Sequence, residues 1–158
     1  MLGACVEPLN PGESLVDHDK WLALDLSQDP AGDFDQPDCN HAVWQRWVDF
    51  VDIDTSGECG WALLEQPLPG TLAEGDVVDW MGWHSPLRAG AESEAHFAVY
   101  IEQHLVFEQW APIPSGDTTF RGQWTVPERL PAGTPVVLHL HNHGDNSWAL
   151  RTLALAPD

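Results

Sequence analysis

The sequence predicts an all-β fold, a two-sheet antiparallel β-sandwich of jelly-roll type. Three observations predict it. Short runs of β-branched and aromatic residues recur along the chain with turn residues between them. No stretch keeps a long helical period. The 13 Pro and 13 Gly are scattered as punctuation between the runs rather than gathered into low-complexity tracts. With 158 residues the chain is large enough for one domain with a substantial core.

In chain order, residues 21–26 (WLALDL) read as a short strand and 27–40 as a loop rich in Pro, Gly and Asp. Residues 43–54 fit either helix or strand. Val43, Trp47, Val51 and Ile53 share one period-two face, and the frequent β-branched residues favour a single strand. Residues 61–66 form the next strand, and 77–84 follow the turn AEGD. Residues 95–102 alternate, with Phe97, Val99 and Ile101 on one side and His96, Ala98 and Tyr100 on the other. Strands at 105–110 and 118–126 are separated by the loop PIPSGD. The chain is organised around 134–155, TPVVLHLHNHGDNSWALRTLAL, which reads as a hairpin turning at Gly144, Asp145 and Asn146. In its first strand Leu138 and Leu140 alternate with His139, His141 and His143, so the leucines face a core and the histidines face outward. The expected core is Phe97, Val99, Ile101, Val136, Leu138 and Leu140.

Charge narrows the partners. Six Lys and Arg stand against 25 Asp and Glu, a net charge of -19. Such a surface repels phosphate backbones, which excludes nucleic acid, and it favours solubility. No apolar run of about 20 residues exists, so contact with a membrane is expected only through a lipid anchor. Leu2-Gly3-Ala4-Cys5 resembles a bacterial lipobox, the tetrapeptide cut before a lipid-modified cysteine. The basic and apolar parts of a signal peptide are missing before it, so either the start is truncated or the match is accidental. The expectation adopted is lipidation at Cys5, with residues 1–14 as lipobox-like start and tether and 15–158 as the single sandwich domain. Cys39 and Cys59 then remain as an even pair in turn-like settings. A bridge between them would close a loop of about 20 residues and stabilise by roughly 3 kcal/mol. Two metal thiolates are the alternative, disfavoured by the lack of CxxC spacing. A disulfide agrees with an exported protein of the bacterial cell envelope or beyond.

Several phrases resemble the galactose-binding-like jelly roll common among carbohydrate-binding modules. They are GDVVDWMGWHS, AHFAVYIE, FRGQWTVPERLPAGTPVVLHLHNHG and SWALRTLAL. The resemblance spans residues 21–156 in pattern and is most specific from Gly75 onward. It implies a two-sheet sandwich and non-catalytic ligand binding, without fixing the ligand or any binding residue. Such modules often hold a structural calcium, but the resemblance does not place its ligands here.

The residues themselves offer three binding chemistries. The first is carbohydrate. The chain holds 9 Trp, and indoles stack on sugar faces. Trp80 and Trp83, three apart, point to opposite faces of one strand, while Asp145, Asn146 and Trp148 share one loop. Those five are the candidate glycan site, with Trp110 and Trp124 as further stacking residues. The second is a transition metal. His139 and His141 lie about 6.6 Å apart along a strand and can chelate one zinc or copper ion with His84 or His96 from a neighbour, and Met81 could join on copper(I). The third is calcium at Asp52-Ile53-Asp54-Thr55-Ser56-Gly57, weakened by Leu63 where a closing Glu would stand. A structural, protein-contacting domain with its Trp residues in the core is the remaining alternative. Catalysis is not expected, since the sequence has no GxSxG, no HExxH and no phosphate-cradling Gly loop.

Overall fold

A computed structural model describes residues 8–32 and 39–157. It contains strands β1 (Leu22–Ala23), β2 (Asn40–His41), β3 (Val43–Trp47), β4 (Phe50–Asp54), β5 (Gly60–Pro67), β6 (Val77–His84), β7 (Ser93–Ile101), β8 (His104–Ile113), β9 (Thr118–Thr125), β10 (Pro135–Asn142) and β11 (Ser147–Leu155). They form two sheets. The first runs β1-β5-β10-β7-β8 with β2 beside β5, and the second runs β3-β4-β11-β6-β9. Every pairing is antiparallel except β2 with β5. The expected antiparallel sandwich is therefore what the chain builds.

The core lies between the sheets. Phe97, Val99, Ile101, Val136, Leu138 and Leu140 are all fully buried there, as their alternation predicted. From the opposite sheet Trp148 stacks on Phe97 with ring centres 5.5 Å apart, and Phe120 meets Phe97 edge-on at 5.8 Å.

Three sequence expectations need correction. Residues 21–26 hold only the two-residue β1. Asp25 then accepts a hydrogen bond from Ser27 N (2.9 Å) and caps a short 3-10 helix, Leu26–Gln28, that turns the chain away. Residues 43–54 are a hairpin, not one strand: Trp47 lies opposite Phe50 and the chain reverses at Val48 and Asp49. The reversal puts Val51 and Ile53 in the core while Val43 and Trp47 are exposed. Trp47, 52% exposed, stacks on Phe50 at 5.8 Å.

The third correction is the largest. β10 and β11 do not pair with each other. β10 lies between β5 and β7 in the first sheet, and β11 lies between β4 and β6 in the second. The expected hairpin turn is an arch crossing the sandwich. Side chains hold it from inside. Buried Asn142 donates from Nδ2 to Thr55 Oγ1 (2.7 Å) and accepts from Trp148 Nε1 (3.1 Å). Buried Asn146 donates to His143 O (2.6 Å) and accepts from Arg88 N (2.7 Å). Between them Gly144 sits at φ +84°, where an added Cβ would lie 1.9 Å from Arg88 O. Gly144→Ala is expected to destabilise by about 1–3 kcal/mol from backbone conformation alone, and more from the clash. Urea unfolding of the variant beside the parent measures it.

The same arch occupies the calcium-like string. Asp54 accepts from Ser147 Oγ, Thr55 is buried under the Asn142 side chain, and Gly57 N donates to Asp145 Oδ1 (2.9 Å). Leu63 is buried on β5. At the N-terminal side, the expected tether lies on the sandwich from Pro8 onward. Leu9 is buried, and Gly12 N donates to Leu155 O (2.8 Å). Cys5 lies outside the described residues.

Candidate functional site

The period of two that buries Leu138 and Leu140 turns Val137, His139 and His141 onto the outer face of the first sheet. Register then decides their neighbours. His141 stands opposite Trp61 on β5 and His96 on β7, and His96 stands opposite Trp110 on β8. A row Trp61–His141–His96–Trp110 therefore crosses four strands. Beside it runs Leu63–His139–Ala98–Glu108.

Two halves of this face differ. Over β5 and β10 it is covered. Leu24 and Leu26 pack with Cys39, Cys59, Trp61, Leu63 and Val137 in a small second core. The Cys39–Cys59 disulfide expected from the sequence is formed there, with Cα atoms 4.9 Å apart. It fastens β2 to the start of β5, where His41 lies 4.1 Å from the Trp61 ring. Asp29 then reaches inward, its Oδ2 lying 2.8 Å from His139 Nδ1, and both side chains are 2% exposed. Burial pushes the Asp29 carboxyl up. The hydrogen bond and charge of His139, the Ala31 N–H and the charge of His96 outweigh that and hold it below its ordinary value.

Over β7 and β8 the face is open. The Trp110 indole lies parallel to the His96 ring, 3.9 Å away and 4° from coplanar orientation. His96 is 3% exposed beneath it, whereas Trp110 is 46% exposed. Glu108 Oε2 accepts from Trp110 Nε1 (3.2 Å) and lies 3.2 Å from His96 Nε2. Alternation puts exposed Glu94 on the same face, two residues from His96 and opposite Pro112. The result is a flat, open aromatic surface held in place by a buried ring and a carboxylate.

The histidines proposed as metal ligands divide. His139, His141 and His96 share this face, with His96 and His139 ring centres 4.9 Å apart. His84 does not join them. It points from β6 into the core, 2% exposed, 4.6 Å from Trp148, and its Nδ1 bonds Ser85 O at 2.8 Å. Met81, next to Gly82 on the same strand, is also in the second sheet. Among the described residues no group of three His, Cys, Asp or Glu is set to hold a metal ion.

The five residues named for sugar binding do not form one surface. Trp80 and Trp83 do point oppositely. Trp80 packs inward, stacked on Phe107 at 4.4 Å, and Trp83 is half-buried on the outer side of the second sheet. Trp148 is fully buried and Asn146 nearly so, both committed to the arch, so neither offers a face to a ligand. Asp145 alone of the loop is exposed, beside a groove lined by Gly57, Glu58, Arg88 and Gly144. Sequence reasoning singled out Trp110 and His96 separately but missed that they stack, and it missed Glu94 and Glu108. The usable signal was parity: Glu108 and Trp110 alternate with Phe107 and Ala111, which are buried.

Comparison with known proteins places the fold. No family model matches the chain, and no curated protein matches it. Solved structures do match. The N-terminal cellulose-binding domain of Cellulomonas fimi β-1,4-glucanase C aligns over 96% of this chain and 97% of its own, at 11% identity and a TM-score of 0.53. The chain is similar in fold to a cellulose-binding domain. The CBM22-1 xylan-binding domain from Paenibacillus barcinonensis Xyn10C aligns over 95% of this chain and 99% of its own, at 14% identity and a TM-score of 0.46. At 11% identity the likeness to the cellulose-binding domain is one of fold.

Proposed function

We propose that this chain is a non-catalytic, exported glycan-binding domain that takes carbohydrate on the open half of the first sheet, over Trp110. The observation that carries the reading is the Trp110 ring, 46% exposed yet fixed parallel to buried His96 at 3.9 Å. A ring already ordered loses little entropy when a sugar ring stacks on it. Glu108, anchored through Oε2, keeps its other oxygen at the rim for sugar hydroxyls. The similarity in fold to a cellulose-binding domain supports the same reading. Export rests on the disulfide, which persists in oxidising compartments. Lipidation at Cys5 is proposed with it, and the intact mass of protein recovered from the membrane fraction of its native host tests that part.

The test of the site is a panel of immobilised neutral, amino and uronic oligosaccharides. Trp110→Ala is expected to weaken the best binder by about 10- to 100-fold, while Trp83→Ala leaves it within about twofold. Unchanged binding by Trp110→Ala would move the site elsewhere.

A further inference from the structure

Resting on that glycan reading, we infer that the ligand is a cationic glycan, one whose sugars carry free protonated amines. The basic residues are Lys20, Arg46, Arg88, Arg121, Arg129 and Arg151. None of them belongs to a strand of the first sheet. The open half of its outer face carries carboxylates instead. Glu108 lies two residues from Trp110 on β8, about 7 Å along the strand. Glu94 lies opposite Pro112, two residues to the other side of Trp110. Among the described residues neither Glu94 nor Glu108 pairs with Lys or Arg.

The exposed indole therefore has one carboxylate to one side on its own strand, Glu108, and another to the other side on the neighbouring strand, Glu94. A cation over an indole face is attracted by the ring quadrupole, and a carboxylate at the ring's edge adds a charge-assisted hydrogen bond. A neutral sugar uses the stacking surface alone, with ordinary hydroxyl bonds to the rim. Protonated amines on successive sugars use the ring and one carboxylate on either side of it. The net charge of -19 raises the local concentration of a cationic polymer and repels a uronic one. Thus the face discriminates by charge in the order amino, neutral, acidic.

The experiment is calorimetric titration at mildly acidic pH with glucosamine, N-acetylglucosamine, glucose and galacturonic acid oligomers of equal length, and with a lysine oligomer as a second source of ammonium groups. The glucosamine oligomer is expected to bind roughly tenfold or more tighter than the glucose oligomer. The double variant Glu94→Gln with Glu108→Gln should reduce that preference to within about twofold, and Trp110→Ala should weaken both sugars. Glucose or acetylated oligomers binding as tightly as glucosamine, with Trp110 still required, would overturn the cationic assignment and leave the glycan reading standing. Lysine oligomer binding that matches the glucosamine oligomer and ignores Trp110→Ala would reduce the effect to bulk charge and overturn it too. No binding by any sugar would overturn both.

Discussion

Asp29→Ala is expected to destabilise the protein by about 1–3 kcal/mol, because it removes the carboxylate that bonds buried His139 Nδ1. The Asp29 and His139 side chains are each 2% exposed, with Asp29 Oδ2 2.8 Å from His139 Nδ1. The pair fastens the segment after β1 to the middle strand of the first sheet, so its loss should also loosen the small core around the disulfide. The variant also forfeits the bond from Ala31 N to Asp29 Oδ1 (3.0 Å), which shapes the turn. The pH dependence follows from the direction of the Asp29 shift. Its folded value lies below the ordinary 3.8, so its contribution is complete above that value and is lost as pH falls through the depressed one. Stability of the parent should therefore fall more steeply than that of Asp29→Asn as the pH drops below about 4. Parallel curves from denaturant unfolding across that range would show that the pair contributes nothing there.

Leu138→Ala is expected to cost about 2–5 kcal/mol. Leu138 is fully buried at the centre of β10, flanked across the sheet by Leu64 and Val99, which are buried as well. The two neighbouring strands leave little room to collapse into the vacated space, which places the cost toward the upper part of the range. Thermal and urea unfolding measure it. A variant that melts with the parent would reverse the assignment of inner and outer faces, and with it the whole outer row of histidines.

That assignment was legible because alternation is a local signal. Residues 95–101 and 138–141 show it, and Phe97, Val99, Ile101, Leu138 and Leu140 face the inner core as read, although His96 and His139 on the outer face are buried as well. β6 was legible to its last residue because a Gly turn opens it and Ser85-Pro86 closes it. What alternation cannot report is the partner. A tight polar turn between two apolar strands serves a hairpin or an arch equally well. Here the choice was made by β5 and β4, whose pairing residues lie about 70 to 100 positions earlier in the chain. The β3–β4 reversal escaped for a related reason: Asp49 is the one turn-favouring residue there, with no Gly or Pro beside it to mark the turn.

The site was less legible than the fold for the same physical cause. Trp148, in a loop-like phrase rich in polar residues, looked like a ligand contact, and only the arch reveals that it closes the core. Trp110 sat in an ordinary strand. Its importance depends on His96, which is adjacent only through the β7–β8 register. The disulfide was readable because setting Cys5 aside left Cys39 and Cys59 as an even pair in turn-like settings without CxxC spacing.

The distribution of indoles has an optical consequence. Trp21 and Trp148 are wholly enclosed, whereas Trp47 and Trp110 meet solvent. The folded protein therefore emits from two populations, a blue-shifted one inside the sandwich and a red-shifted one on its surface. A ligand settling on Trp110 alters the second while the first stays fixed, and loss of the core shifts the first toward the second. One emission spectrum thus separates occupancy from unfolding without any added label.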